Sequence, residues 1–302
     1  MIEITNLTKT FDKFTALDNI TLTIPTGTAY GLIGSNGAGK STLLRILAGV
    51  YRADSGDALI DGQKLYDNAK AKGRIFFVND ETVQYNAYTL GELSNMYRHF
   101  YDNFSHEIFD NLRGVLQLPL DKKLSAFSKG MKRQASLILG AACKTDYLFL
   151  DEVFDGLDPT MRIVIKKMLA DTIKTDNLTV ILSSHNLSEI DELCDCAGLI
   201  HSGKLVFNRQ LGDMKAGKYK IHKIQAAFDN DEAVDFNDID VLQIGKTGSI
   251  THIIAKGEAN ELREKISAHN PKILDILPLS LEEVFIHELE VLGYEYNRND
   301  KD

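Results

Sequence analysis

The sequence lacks any uninterrupted apolar run near 18 residues, so no segment of it is expected to cross a bilayer as a helix. It opens Met-Ile-Glu-Ile-Thr, without the basic-then-apolar pattern of a secretory leader, and no such signal is expected. Cysteine is scarce. Cys143, Cys194 and Cys196 form an odd set with no framework, which excludes a disulfide scaffold and fits a reducing compartment. Cys194-x-Cys196 has the look of half a metal site, but no second cysteine pair or nearby histidine pair completes it. Buried small apolar side chains are the expectation. A positive balance is also missing. Lys and Arg number 34 against 43 Asp and Glu, a formal net charge of −9, so the surface as a whole repels nucleic acid and anionic lipid. Internal repeats and low-complexity tracts are absent.

What is present is ordinary globular composition, 44% hydrophobic and 25% charged over 302 residues, enough for a large domain and a small one. Residues 2–10 and 15–24 alternate apolar and polar as strands do, and Pro25-Thr26-Gly27 breaks the second run. Further strands are expected at 29–33, 58–60, 75–78, 147–150 and 180–182. Helices are expected at about 40–49, across most of 89–142 with breaks near Asn103 and over 119–127, and at 160–174. Strand–helix–strand alternation predicts a parallel sheet covered by helices. From about residue 217 the pattern changes to strands at 219–228 and 239–256, the latter turning at Lys246-Thr247-Gly248-Ser249. A helix at 259–269, a strand at 272–277 and a helix opened by Ser280-Leu281-Glu282-Glu283 complete a small α+β domain. The acidic stretch 229–240 reads as a solvated loop, and the tail after Tyr296 as frayed. The expected division is 1–216, with a helical subdomain at about 82–142, and 217–302.

The strongest chemical signal is Gly34-Ser35-Asn36-Gly37-Ala38-Gly39-Lys40-Ser41-Thr42, between an expected strand and an expected helix. The glycines allow backbone angles that turn successive N–H groups onto one anion, and the helix adds its positive N-terminal end. Lys40 is placed for the β- and γ-phosphates of ATP and the Ser41 hydroxyl for Mg²⁺. The second signal is Leu148-Phe149-Leu150-Asp151-Glu152. An apolar strand delivers a carboxylate to a sheet edge, where Asp151 would hold Mg²⁺ through water. Glu152 would polarise the attacking water as general base. Together these define a P-loop NTPase.

Three further stretches narrow the reading: Ser128-Lys129-Gly130-Met131-Lys132-Arg133-Gln134, Asp155-Gly156-Leu157-Asp158-Pro159 and Ser183-Ser184-His185. In this order the set, over roughly residues 1–215, resembles the ATP-binding subunit of an ATP-binding-cassette (ABC) transporter. The resemblance implies an α/β fold of mixed sheet core plus helical subdomain. It also implies an adenine-stacking role for Phe11, which fits a strand-end core position as well. It places Phe127-Ser128-Lys129-Gly130-Met131 where the family usually has Leu-Ser-Gly-Gly-Gln. Ser128 and the Gly130 N–H would there contact the γ-phosphate held by a second subunit. Asp158 would cross the dimer interface, and His185 would be the switch histidine at the γ-phosphate.

Two positions depart from the pattern. Lys129 and Met131 replace a Gly and the Gln of the signature, but the Ser and second Gly that the phosphate needs are kept. Asp80, in Phe77-Val78-Asn79-Asp80-Glu81, stands where the family has a catalytic Gln. Aspartate can ligate Mg²⁺ but cannot donate a hydrogen bond. It adds a negative charge worth about 4 kcal/mol at ~4 Å and an effective dielectric of about 20. Slower hydrolysis or tighter coupling of hydrolysis to the partner is expected, with Gln84 on a shifted loop as the alternative group.

The resemblance implies a pair of cassettes closing on two ATP molecules against a separate transmembrane permease, on the cytoplasmic side of the membrane. The run Leu277-Pro278-Leu279-Ser280-Leu281-Glu282-Glu283-Val284-Phe285 looks like the close of bacterial exporter cassettes. Residues 82–102 lie where the family docks its permease. The expected function is the ATP-hydrolysing motor of a bacterial exporter. The alternatives are a soluble cassette ATPase of translation or repair, and a low-turnover subunit paired with a competent cassette.

Overall fold

The computed structural model describes residues 1–79, 85–215, 220–228 and 236–291. Asp80, Gln84, most of the acidic stretch 229–240 and the tail after Tyr296 lie outside these. The chain forms two compact units, Met1–Asn208 and Arg209–Asp302. The sequence reading placed the division at 216/217.

The first unit begins with β1 (Ile2–Phe11), β2 (Phe14–Ile24) and β3 (Ala29–Ile33), followed by α1 (Lys40–Leu47). Next come β4 (Ser55–Ile60), β5 (Gln63–Lys64), α2 (Ala69–Lys72) and β6 (Ile75–Val78). A helical stretch holds α3 (Leu90–Phe100), α4 (His106–Val115) and α5 (Lys129–Ala142). The unit closes through β7 (Tyr147–Asp151), α6 (Pro159–Asp176), β8 (Thr179–Ser184), α7 (Leu187–Leu193), β9 (Cys196–His201) and β10 (Lys204–Gln210).

Its strands make two sheets. The first, in the order β2-β1-β4-β5, is antiparallel, and the register Ile2↔Ile24, Ile4↔Leu22 and Leu7↔Ile20 turns one apolar row inward. The second has the order β10-β9-β3-β8-β7-β6, parallel from β9 through β6. Every residue of β3, β7 and β8 is buried, as expected for strands covered on both faces. Between the sheets α1 contributes Leu43, Leu44 and Leu47 to a core with Ile4, Leu7, Leu32 and Phe149. Each such side chain contributes about 1.5–3 kcal/mol on burial.

In the helical stretch, Thr89 and Glu92 form a reciprocal capping box on α3. Ser105 caps α4 and Ser128 caps α5. The sequence reading assigned nothing to β9, which lies beside β3. Gly198 explains the gap. A Cβ there would collide with the Tyr30 hydroxyl, so the strand carries a poor strand former at its middle.

The second unit starts with α8 (Leu211–Lys215) and β11 (Ile221–Ala227). It continues with β12 (Asp240–Thr247), β13 (Ile250–Lys256), α9 (Ala259–Ser267), β14 (Ile273–Pro278) and α10 (Leu281–Val291). The sheet order is β12-β13-β11-β14, all antiparallel. Ile224, Ala226, Ile253 and Ala255 of one face form a core with Leu262 and Ile266 of α9. No helix among the described residues is long and apolar enough to cross a membrane.

Candidate functional site

The parallel ladder brings three strand ends level. Ile33 of β3 pairs with Ser184 of β8, and Ser183 pairs with Asp151 of β7. Functional groups at the C-terminal ends of parallel strands share one edge, where ligands of open α/β sheets bind. The loop leaving β3 turns through Gly37 and Gly39, at φ 79° and 115°, a region other residues rarely adopt. At Gly39 a Cβ would also lie 2.5 Å from the Ala16 carbonyl oxygen, so only glycine lets β2 approach this closely. Gly39 caps α1 without any side-chain hydrogen bond, so the first amides of that helix have no side-chain acceptor there.

Lys40, the first residue of α1, is buried. Its Nζ donates to the carbonyl of Gly34 at 2.7 Å and that of Ser35 at 3.2 Å, and lies 3.3 Å from Glu152 Oε1. The other Glu152 oxygen lies 3.9 Å from His185 Nδ1. Glu152 follows β7 with φ 48°, a left-handed conformation costing about 1–3 kcal/mol for a residue with a side chain. It is held there by its N–H, which donates to the Ser183 carbonyl at 3.2 Å and the Ser183 hydroxyl at 3.1 Å.

Asp151 is fully buried, and its Oδ1 accepts from Ser183 Oγ at 2.5 Å. A dry carboxylate at a strand end and the Ser41 hydroxyl in the adjacent cleft are oxygen donors of the kind hard cations take, so the residues fit Mg²⁺. Glu152, Asp155 and His185 also bring one ligand atom each within 4.8 Å of one another. No cysteine enters this grouping. Cys143, Cys194 and Cys196 are free and buried, and burial raises their thiol pKa values, as expected of small core side chains.

A cleft of about 390 Å³ joins these parts. Asn36, Gly37, Gly39, Lys40, Ser41, Thr42 and Glu152 line one end, and Phe11, Phe14 and Ala16 the other. Phe11 is 40% exposed, which places it at the cleft rather than in the core. Its ring meets Tyr51 edge-on at 5.5 Å, and Lys9 Nζ, held by Asp54 at 2.8 Å, sits 5.3 Å over its centroid. Phe14, directly across the hairpin from Phe11 and 61% exposed, was missed in the sequence. Its only cue was hairpin spacing around Asp12-Lys13.

The remaining expected positions fall elsewhere. Ser128, Gly130 and Asp158 do not line the cleft. Ser128 is exposed, and its Oγ accepts from the Met131 N–H at 3.2 Å. Gly130 lies against the Gly156 carbonyl, which a Cβ would approach to 3.1 Å. Asp158 caps α6 by accepting from the Met161 N–H, with Pro159 in the first turn. Arg133 of α5 donates to the Asp155 carbonyl and ties this helix to the Glu152 loop. A second tie was also missed: Ser184 donates to buried Glu189 at 2.7 Å, and Glu189 meets Arg162 of α6 at 3.3 Å. Asp80 lies outside the described residues.

Residues 17–155 match the family model described as "ABC transporter". The chain is 30% identical over 286 residues to the ABC transporter ATP-binding protein YtrB of Bacillus subtilis, covering 95% of this chain and 97% of that one. It is 29% identical to the bacitracin transport ATP-binding protein BcrA of Bacillus licheniformis, over 87% of this chain and 89% of that one. Among solved structures, the ATP-binding subunit of an ABC transporter superposes with a TM-score of 0.66 at 24% identity, over 72% of this chain and 93% of that one. A dimeric cassette in a post-hydrolysis state with ADP and Pi gives 0.64 at 21% identity, over 70% and 99%. These superpositions establish the fold.

Proposed function

The chain belongs to the ATP-binding subunits of ABC transporters, and from that premise we propose that it is the motor of a bacterial exporter. As an ATPase of this family it binds ATP. The adenine would lie at the Phe11 end of the cleft and the phosphates on the amides of residues 34–42, with Lys40 bridging the β- and γ-phosphates. Mg²⁺, held by Ser41 and Asp151, would supply charge neutralisation at the phosphates. Glu152 takes the proton of the attacking water, and His185 orients the γ-phosphate.

One observation carries this reading. Lys40 and His185 address different oxygens of a Glu152 fixed in a left-handed conformation, so phosphate-binding cation, base and switch group already form one unit. Ser128, Gly130 and Asp158 stand away from the cleft of their own chain. They would serve the site of a second cassette, so that two ATP molecules close a head-to-tail pair.

Membership of the family supports pairing with a separate permease at the cytoplasmic face. The exporter assignment draws on relatives named for bacitracin and lantibiotic transport and on the run 277–285. Glu152→Gln should abolish steady-state turnover and trap an ATP-bound dimer on gel filtration. A monomer at saturating Mg·ATP would refute the pairing. Purification from native membranes should recover a membrane subunit, and purely ribosomal or DNA-bound partners would refute the transporter reading.

A low-turnover role rests on Asp80 alone. Asp80→Gln would then raise the ATPase rate and change its Mg²⁺ dependence, and unchanged values would exclude it.

A further inference from the structure

Among the described residues only two carboxylates are buried, Asp151 and Glu189. Asp151 belongs to the nucleotide cleft. Glu189 lies on α7, does not line the cleft, and the chemistry set out above makes no use of it. An ionised carboxylate is costly to bury unless its contacts are well placed, so its partners show what it serves. Both of its oxygens are taken. Oε2 accepts from the Ser184 hydroxyl at 2.7 Å, and Oε1 accepts from Nη1 of Arg162 at 3.3 Å.

The first contact bears on one turn. β8 ends at Ser184 and α7 begins at Leu187, with His185 and Asn186 between them. An ionised carboxylate only accepts, so the single Ser184 hydroxyl proton must point at Glu189. That leaves the Ser184 oxygen as an acceptor, and the Asn186 N–H donates to it at 2.9 Å. Asn186 is fixed on its far side too, where its Oδ1 accepts from the Ser188 N–H at 3.1 Å and the Ser188 hydroxyl at 2.7 Å. The backbone on both sides of His185 is thereby held through one hydroxyl whose direction Glu189 sets. His185 itself is exposed, and its Nδ1 lies 3.9 Å from Glu152, longer than a hydrogen bond, so the aim of the ring depends on the backbone that carries it.

The second contact reaches the loop before α6. Arg162 Nε donates to the Leu157 carbonyl at 3.1 Å, next to Asp158. The guanidinium is a rigid planar fork, so one group spans Glu189 and the stretch Asp155–Asp158. Packing alone does not call for charges here, since apolar residues of similar volume often stabilise as well as a buried ion pair or better.

We propose that Glu189 is a positioning residue: paired with Arg162, it holds the turn that aims His185 at the γ-phosphate. The inference rests on the reading of His185 as the group at that phosphate. Steady-state Mg·ATP hydrolysis by the full chain tests it. Glu189→Gln keeps the length of the side chain but not its charge, so the Ser184 proton is no longer committed. Its kcat should fall about 10–100-fold, the scale of a misplacement of about 1 Å, while KM for ATP stays within about twofold. A native kcat, with or without a raised KM, would overturn the assignment. Glu189→Leu combined with Arg162→Met removes both charges together; it should melt no lower than the native chain and yet keep the kcat defect. Recovery of the native rate in that variant would reduce the pair to packing. A third readout is the His185 imidazole signals of the nucleotide-free chain by NMR, assigned by their loss in His185→Ala. They should move in Glu189→Gln, and unmoved signals would count against the role. His185→Ala also separates the two readings. If it keeps the native rate, the assignment of His185 fails and this inference with it. If it is inactive while both Glu189 variants are fully active, only the role of Glu189 fails.

Discussion

Ser183 lies near the end of β8, beside Asp151 and Glu152 of the neighbouring strand end. Its hydroxyl, buried together with Asp151, donates to Asp151 Oδ1 at 2.5 Å and accepts from the Glu152 N–H at 3.1 Å. Ser183→Ala removes both contacts without a steric change. The Glu152 N–H keeps the Ser183 carbonyl at 3.2 Å, so its loss is partial. The hydrogen bond to the buried carboxylate is not replaced, and bonds to charged groups contribute about 1.5–3 kcal/mol. Against a typical unfolding free energy of about 5–15 kcal/mol, that loss is readily measured by urea denaturation of the full chain. The functional effect follows from orientation. Groups that hold a metal-ligating carboxylate typically govern about 10–100-fold in metal affinity. The Mg²⁺ concentration for half-maximal ATPase activity should rise by that factor, with less change in ATP affinity measured without metal. An unaltered Mg²⁺ dependence in a correctly folded Ser183→Ala protein would refute the assignment of Asp151 as the metal carboxylate. Equal losses with and without metal would mean that Ser183 only supports the strand end.

Other outcomes follow from the same geometry. Phe14→Ala should weaken ATP binding by about 1–3 kcal/mol, the usual value of an aromatic–base stack, and leave inorganic tripolyphosphate binding unchanged in a competition assay. Equal losses for both would refute a role at the base. Gly198→Ala should lower the melting temperature through about 1–3 kcal/mol of overpacking against Tyr30, whose hydroxyl also donates to Asn208 at 3.1 Å. Burial acts to raise the Glu283 pKa, but the hydrogen bonds from Lys223 and Ser280 outweigh it and hold the folded value below the ordinary 4.5. A depressed carboxylate pKa contributes stability above the unfolded value that is lost as pH falls through the folded one. Unfolding of the second unit should therefore become easier below about pH 4.5 in the native chain and less so in Glu283→Gln.

The sequence made the phosphate loop, β7 and the strands around them legible because their signals are local. A glycine pattern fixes backbone angles, and five consecutive apolar residues need two covered faces. It was silent where the determinant is tertiary. The strand β9 carries Gly198 because the Tyr30 ring occupies the space over it, and no residue near 198 in sequence announces that ring. Phe14 falls between the two expected strands, 2–10 and 15–24, and takes on meaning only when the hairpin sets it opposite Phe11 above the cleft. The same holds for the tie between Arg133 and the Asp155 carbonyl. It joins the helix headed by Ser128 to the loop whose Asp155 N–H donates to the Glu152 carbonyl at 3.3 Å. Ser128 and Glu152 belong to different parts of the sequence, and neither motif names the other. The fold links them through one arginine and one turn. A disturbance at the head of α5 therefore has a short bonded route to the residue assigned as the base, whichever subunit's phosphate supplies it.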